Sequence, residues 1–206
     1  MDLSVATNLI NYSDPIQMPV SELLAGSYIF SIPSYQRGYR WESRVSSNDN
    51  EVRQVDDLLN DLIHFVESNA NNQANYYLQP LMVKPRYDGN GQLVWDVLDG
   101  QQRLTTMLLI LKCLNEKLCS GGYALYQVHY ANRPDIDFTK ITFDPNSPDF
   151  DYPKPNHNLD SFFVRKAKDR VLEWFEENFT IQQKKTSLRK LFFMKIIAGF
   201  LHLHQI

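Results

Sequence analysis

The chain of 206 residues has only two cysteines, no long apolar run and no excess of positive charge, and each shortage removes a class of protein. Cys113 and Cys119 lack both C-x-x-C spacing and a His-rich neighbourhood. They supply neither a disulfide framework nor a zinc or redox motif, and read as reduced thiols. The longest uninterrupted apolar run, Met107 to Leu111, falls far short of the ~20 residues that span a bilayer. Met1 to Ile10 carries Asp2 and no basic residue, so it does not read as a secretory leader. No membrane partner and a cytoplasmic location are expected. With 21 Lys and Arg against 24 Asp and Glu, the net charge of −3 excludes the bulk positive field of a protein that coats nucleic acid. No internal repeat is present. What remains is ample: 43% hydrophobic residues suffice for a buried core.

The periodicities predict an α+β chain. A short helix is expected near Ser21, ending at Gly26, followed by a brief strand at Tyr28 to Phe30 that Pro33 interrupts. Val52, Val55, Leu59, Leu62 and Val66 recur at helical steps and predict an amphipathic helix over Glu51 to Glu67. Tyr76 to Val83 reads as an edge or bulged strand because of Pro80. The turn Asp88-Gly89-Asn90-Gly91 should join it as a hairpin to a strand over Leu93 to Leu98. Asp99-Gly100-Gln101-Gln102-Arg103 then runs directly into the buried-helix spacing of Leu104, Met107, Leu108, Leu111, Leu114 and Leu118. Five prolines between Pro134 and Pro155 predict a long irregular connection, assigned to residues 126–157. Helices over Leu159 to Asn178, capped by Asn158, and over Ser187 to about Leu203 suggest the start of a helical second domain, residues 158–206, after a first domain of residues 1–125.

Two segments concentrate chemistry. A tight turn between strand and helix aims the unpaired N–H groups of the first helical turn in one direction, and with the helix dipole these favour a phosphate. Gly100 permits close approach of an anion, Arg103 can pair with phosphate oxygens, Gln101 and Gln102 can address a sugar, a base or a water, and Asp99 can hold Mg²⁺. The plain alternative is that Asp99 caps the helix while Arg103 pairs with a surface carboxylate. In Ile32 to Trp41, Arg37 and Arg40 can contact phosphate, and Tyr35, Tyr39 and Trp41 can stack on bases. The plain alternative there is an aromatic corner that fills a core. The five histidines lack metal-ligand spacing, and Asp56, Asp57 and Asp61 read as a solvated helix face, with Asp61 a weak metal candidate.

Ile32-Pro33-Ser34-Tyr35-Gln36-Arg37-Gly38-Tyr39-Arg40-Trp41, the helix containing Leu58 to Ile63, and Asp99-Gly100-Gln101-Gln102-Arg103-Leu104-Thr105-Thr106 together resemble the N-terminal domain of GmrSD-type modification-dependent restriction proteins. That family is itself similar to the ParB/sulfiredoxin fold. The resemblance spans about Ser21 to Leu118. It implies a domain that binds and hydrolyses a nucleoside triphosphate with Mg²⁺, used in bacterial defence. By the same resemblance Asp99, Gln101, Gln102 and Arg103 are catalytic, Tyr35, Gln36, Arg37, Gly100, Arg103 and Thr105 bind the nucleotide, and Asp99 and Asp61 are metal candidates. The chain departs from the family where Gln79-Pro80 follows Tyr77-Leu78 in place of a Gly. The family's His-Asn-His nuclease is not visible here, so DNA cleavage is expected from a nuclease domain or partner subunit. The competing expectation is a module that senses DNA, including modified DNA, through the Tyr35 to Trp41 loop without turning over nucleotide.

Overall fold

A computed structural model describes residues 16–19, 28–43, 53–68, 76–119, 122–133, 135–179 and 196–202. The elements in chain order are β1 (Ile16–Pro19), β2 (Ile29–Ile32), α1 (Gln54–Ser68), β3 (Tyr76–Tyr87), β4 (Leu93–Asp99), α2 (Gln101–Cys119), β5 (Gln127–Tyr130), a 3-10 turn (Phe138–Lys140), α3 (Leu159–Phe179) and β6 (Ile196–His202). The expected helix near Ser21 lies outside the described residues. The fold is α+β, built on one mixed sheet in the order β1-β6-β3-β4-β2-β5.

The predicted hairpin is present, with β3 and β4 antiparallel from Tyr87↔Leu93 to Met82↔Asp99. Its turn is closed by Asp88, whose carboxylate accepts from the Asn90 and Gln92 N–H groups at 2.9 Å. β3 is nevertheless an interior strand, flanked by β4 and β6. It accommodates Pro80 by shifting register between Leu78 and Leu81, since proline has no N–H to give the ladder. β2 runs parallel to β4 on one side and to β5 on the other. The three strands therefore release their chain at the same edge of the sheet.

α2 is buried almost all round over Gln101–Asn115, as expected of a helix carrying apolar residues on every face. Cys113 is buried and free, and burial pushes its thiol well above its ordinary pKa. α3 starts at the predicted cap, with the Asn158 side-chain oxygen accepting from the Ser161 N–H at 2.7 Å. Its inner face, Val164, Ala167, Val171 and Trp174, belongs to the same core as α1 and α2. A buried ion pair, Arg170 Nε to Asp56 Oδ1 at 2.5 Å, ties α3 to α1.

Two sequence expectations are corrected. The connection assigned to residues 126–157 contains β5, whose Val128 and Tyr130 alternate inward against exposed Gln127 and His129. Four residues of that alternation are too short to stand out among the prolines that follow. The helix expected over Ser187 to about Leu203 is replaced, in its described part, by β6, which pairs parallel to β3 and antiparallel to β1. Ile196, Ile197, Phe200 and Leu201 form a short apolar run that fits either period, and β-branched and aromatic content favours the strand once a sheet edge is on offer. α3 packs its inner face on the core shared with α1 and α2. Among the described residues no helix is long and apolar enough to cross a membrane.

Candidate functional site

The carboxyl ends of parallel strands are where an α/β crevice forms, because successive connections leave them in different directions. Here β2 ends at Ile32, β4 at Asp99 and β5 at Tyr130, and the three outgoing segments bond to one another. The Ala131 N–H donates to Ile32 O at 3.0 Å, Asn132 Nδ2 to Ser34 O at 2.9 Å, and Gln36 Nε2 to Leu98 O at 2.7 Å. Gln101 Nε2 completes the link, reaching Gln36 Oε1 at 3.2 Å. The two sequence segments singled out for their chemistry thus meet at one edge.

Gly100 makes the turn from β4 into α2 with φ +92°, in the left-handed region. A Cβ there would lie 2.3 Å from Leu81 Cδ2 and 3.1 Å from Arg103 Nη2, so the position has no room for a side chain. The first intrahelical bond runs from the Leu104 N–H to Gly100 O at 3.0 Å. Ahead of it, the N–H groups of Gln101, Gln102 and Arg103 have no helical acceptor and face out along the helix axis, where the macrodipole is positive.

Gln102 organises the neighbouring loop. Its Oε1 accepts from the N–H groups of Arg40 at 2.7 Å and Trp41 at 3.1 Å, and its Nε2 donates to Gly38 O at 2.9 Å. Tyr39, 1% exposed, is held by a 2.8 Å bond between its hydroxyl and Thr106 Oγ1, and burial drives its pKa up. Thr105 is fully buried and bonded to the Tyr130 hydroxyl at 2.8 Å. Gln102, Thr105 and Thr106 are therefore committed to internal partners, Gln102 and Thr106 to the loop and Thr105 to β5. Tyr39 fills the core, as in the aromatic-corner reading. Tyr35, by contrast, is 71% exposed at the loop tip, and Arg37 is exposed beside it.

Arg103 reaches back to the β3 bulge. Its guanidinium donates to Gln79 Oε1 and, at 2.8 Å, to Pro80 O, so the departure at Gln79-Pro80 supplies its acceptors. Its Nη2 lies 3.5 Å from Asp99 Oδ2, and its Nε is buried with no acceptor among the described residues. Burial lowers the Arg103 pKa, opposed by Asp99. Asp99 keeps a side chain 66% exposed. Asp61 is not brought to it: the Tyr76 hydroxyl donates to Asp61 at 3.3 Å, six residues along β3 from the Met82 that pairs with Asp99. The Tyr76 pKa rises to about 12 through burial and that carboxylate. No group of three His, Cys, Asp or Glu able to hold a metal occurs among the described residues.

Two participants were not singled out from sequence. Asp160, in the first turn of α3 and 5% exposed, bonds both Arg40 and Arg133. Gly38 passes so close to Asp160 that a Cβ would overlap its carboxylate. Arg133 follows β5 within the stretch read as a connection, and an acid at a helix start reads only as a complement to the dipole. No local pattern pairs Asp160 with an arginine 120 residues earlier. Arg37 and Arg40 thus lie on the loop after β2, Arg133 after β5 and Arg103 in the first turn of α2, with Arg40 and Arg133 paired to Asp160 and Arg103 beside Asp99.

A family model described as the GmrSD restriction endonuclease, N-terminal domain, matches residues 20–199. No curated protein matches the chain.

Proposed function

The chain belongs to the GmrSD restriction endonuclease N-terminal domain family, and from that premise we propose that the shared carboxyl edge of β2, β4 and β5 binds a nucleoside triphosphate and hydrolyses it, regulating cleavage by a nuclease domain or partner. The observation that carries the reading is the α2 N-terminus. Gly100 at φ +92° frees three N–H groups toward the loop that presents Arg37, and Gln36 and Gln101 bridge the two. In this reading the ParB-like likeness applies to the sheet edge and its loops.

The roles follow from the bonding. The N–H groups of Gln101, Gln102 and Arg103 cradle phosphate oxygens, while Arg37 supplies charge from the open side. Gln101 is clamped through its Nε2, and its Oε1 is left to orient an attacking water. Mg²⁺ fits the donor set in a limited way: one exposed carboxylate, Asp99, matches an ion that takes most of its oxygens from water and phosphate. Its chemistry there would be to neutralise charge on the transferring phosphoryl group. Gln102 and Thr105 serve by positioning the loop and α2.

Calorimetric titration of the purified chain with a non-hydrolysable triphosphate and Mg²⁺ tests the reading. Saturable binding that is lost in Arg37→Ala and Arg103→Ala supports it, with folding of each variant checked by circular dichroism. Folded variants that bind like the wild type remove it. The exposed Tyr35 next to Arg37 favours one second reading, a DNA-sensing loop. It would show as salt-dependent DNA binding that needs Arg37 and Tyr35 but survives Arg103→Ala.

A further inference from the structure

A second concavity lies farther along α2. It has a volume of about 380 Å³, within the range of small-ligand sites, and residues of α2, β5 and the 3-10 turn line it. α2 contributes Leu108, Lys112, Asn115 and Glu116, whose steps of four, three and one put them on one face of the helix. Lys112 stands eleven residues past Gln101, ~16 Å along the helix axis, so this space is separate from the edge proposed for the phosphates.

Lys112 is the charged group on that wall whose side chain lacks a partner. An ammonium carries three N–H donors, and among the described residues none of them meets an acceptor in a hydrogen bond or an ion pair. Glu116, four residues on at the spacing of a helical ion pair, is turned elsewhere: its Oε2 accepts from Thr142 Oγ1 at 2.8 Å and the Phe143 N–H at 2.7 Å. Asp137, ahead of the 3-10 turn, spends its Oδ1 on the Thr139 N–H at 2.9 Å. The other polar side chains on the wall are engaged as well. Asn115 bonds the Tyr123 main chain at both ends, the Tyr126 hydroxyl donates to Leu104 O at 2.8 Å, and His129 Nε2 lies 3.3 Å from Gln127 Oε1.

A half-buried amine on a cavity wall, with no carboxylate bonded to hold its proton, is in the setting that makes a lysine nucleophilic. Burial lowers the Lys112 pKa, against the pull of Glu116 and Asp137. The same charges narrow the ligand. An anion would set a third negative charge beside those two carboxylates, and a cation would meet the ammonium, so the group that reaches Lys112 is uncharged. Leu108, Leu125 and Phe138 give it an apolar surface for a compact body.

We infer that this cavity admits a small uncharged aldehyde or ketone and that Lys112 Nζ captures its carbonyl carbon as an imine. The ammonium first yields a proton to solvent. The amine lone pair then forms the C–N bond while the C=O π pair moves to oxygen, which gains a proton as the nitrogen loses one. The resulting carbinolamine sheds its hydroxyl with the remaining nitrogen proton as water, and C=N closes without oxidant or reductant. Benzaldehyde is the probe, with cyanoborohydride added to reduce the imine to a stable secondary amine, and peptide mass mapping reads which lysine carries the benzyl group. At neutral pH Lys112 should be labelled at least about tenfold faster than Lys154, whose side chain is 67% exposed. Its rate should level off as benzaldehyde is raised to about 10 mM. Benzamide, of similar shape but with a carbonyl carbon too unreactive to condense, should slow labelling at Lys112 and leave Lys154 unchanged. Equal rates at Lys112 and Lys154, a rate at Lys112 that stays linear over that range, or no protection by benzamide overturns the inference.

Discussion

Replacing Gln102 tests how the phosphate edge is held together. The side chain is 5% exposed and makes three bonds to main-chain groups of one loop, two as acceptor and one as donor. Gln102→Ala removes all three and leaves two N–H groups and a carbonyl without partners. Each unsatisfied buried group costs about 1–3 kcal/mol, but Arg40 and Trp41 are half-buried, so water recovers part of it. A loss of about 3–5 kcal/mol is expected, a large share of a typical domain's 5–15 kcal/mol. Gln102→Glu separates the bonds. A carboxylate still accepts from Arg40 and Trp41 but sets an oxygen against Gly38 O, the acceptor now 2.9 Å from Nε2, and buries a charge. When protonated, the new side chain donates to Gly38 O again. Its folded-state pKa must therefore lie above the unfolded value, and the deficit relative to wild type should shrink as pH falls toward the carboxyl range. Urea denaturation from pH 5 to 8 reads this as a change in midpoint at constant slope. A loss under about 1 kcal/mol in Gln102→Ala, or a pH-independent deficit in Gln102→Glu, refutes the clamp.

Gly100→Ala should cost about 2–5 kcal/mol, from a left-handed φ and a Cβ 2.3 Å from Leu81 Cδ2, and Leu81→Ala in the same chain should recover part of it in a double-mutant cycle of urea midpoints. Asp160→Asn should lower stability by about 2–4 kcal/mol by leaving Arg40 and Arg133 without their carboxylate, and calorimetry should show a lower melting temperature. Lys168 is 1% exposed, held by the carbonyls of Phe150 and Tyr152, and burial pulls its pKa down to about 8. The unfolded chain thus binds more protons than the folded one between about pH 8 and the ordinary lysine range. This group's penalty should fade as pH rises through that window, by up to about 3 kcal/mol, and a Lys168→Met variant should lack that pH dependence in denaturant melts.

The parts legible in the sequence were those whose signal is local. The hairpin announced itself through Asp88-Gly89-Asn90-Gly91, α3 through Asn158, and the Gly100 turn through a strand pattern meeting a helix pattern without a gap. At the candidate site, Gln36 and Gln101 stand in the two segments that the sequence marks out, and the structure bonds them to each other. What the sequence hid were choices made by distant partners. Gln102 and Gln101 are adjacent and chemically identical, yet one is bound at both ends by the loop while the other keeps a free oxygen, and only the loop's path decides which. β5 and β6 are short runs whose state depends on neighbouring strand edges rather than on their own period. Asp160 joins the site across 120 residues.

That last carboxylate carries a mechanical consequence. A single counterion serves Arg40 on the loop and Arg133 after β5, and it is borne by the first turn of α3. An anion that drew either guanidinium away would weaken the hold on α3, and displacing α3 would raise the positive potential at the edge. Binding free energies are reciprocal, so the factor by which a ligand loosens α3 is the factor by which a loosened α3 tightens the ligand. Were an anion to bind beside Arg40 or Arg133, its occupancy and the position of the first turn of α3 would be linked through Asp160.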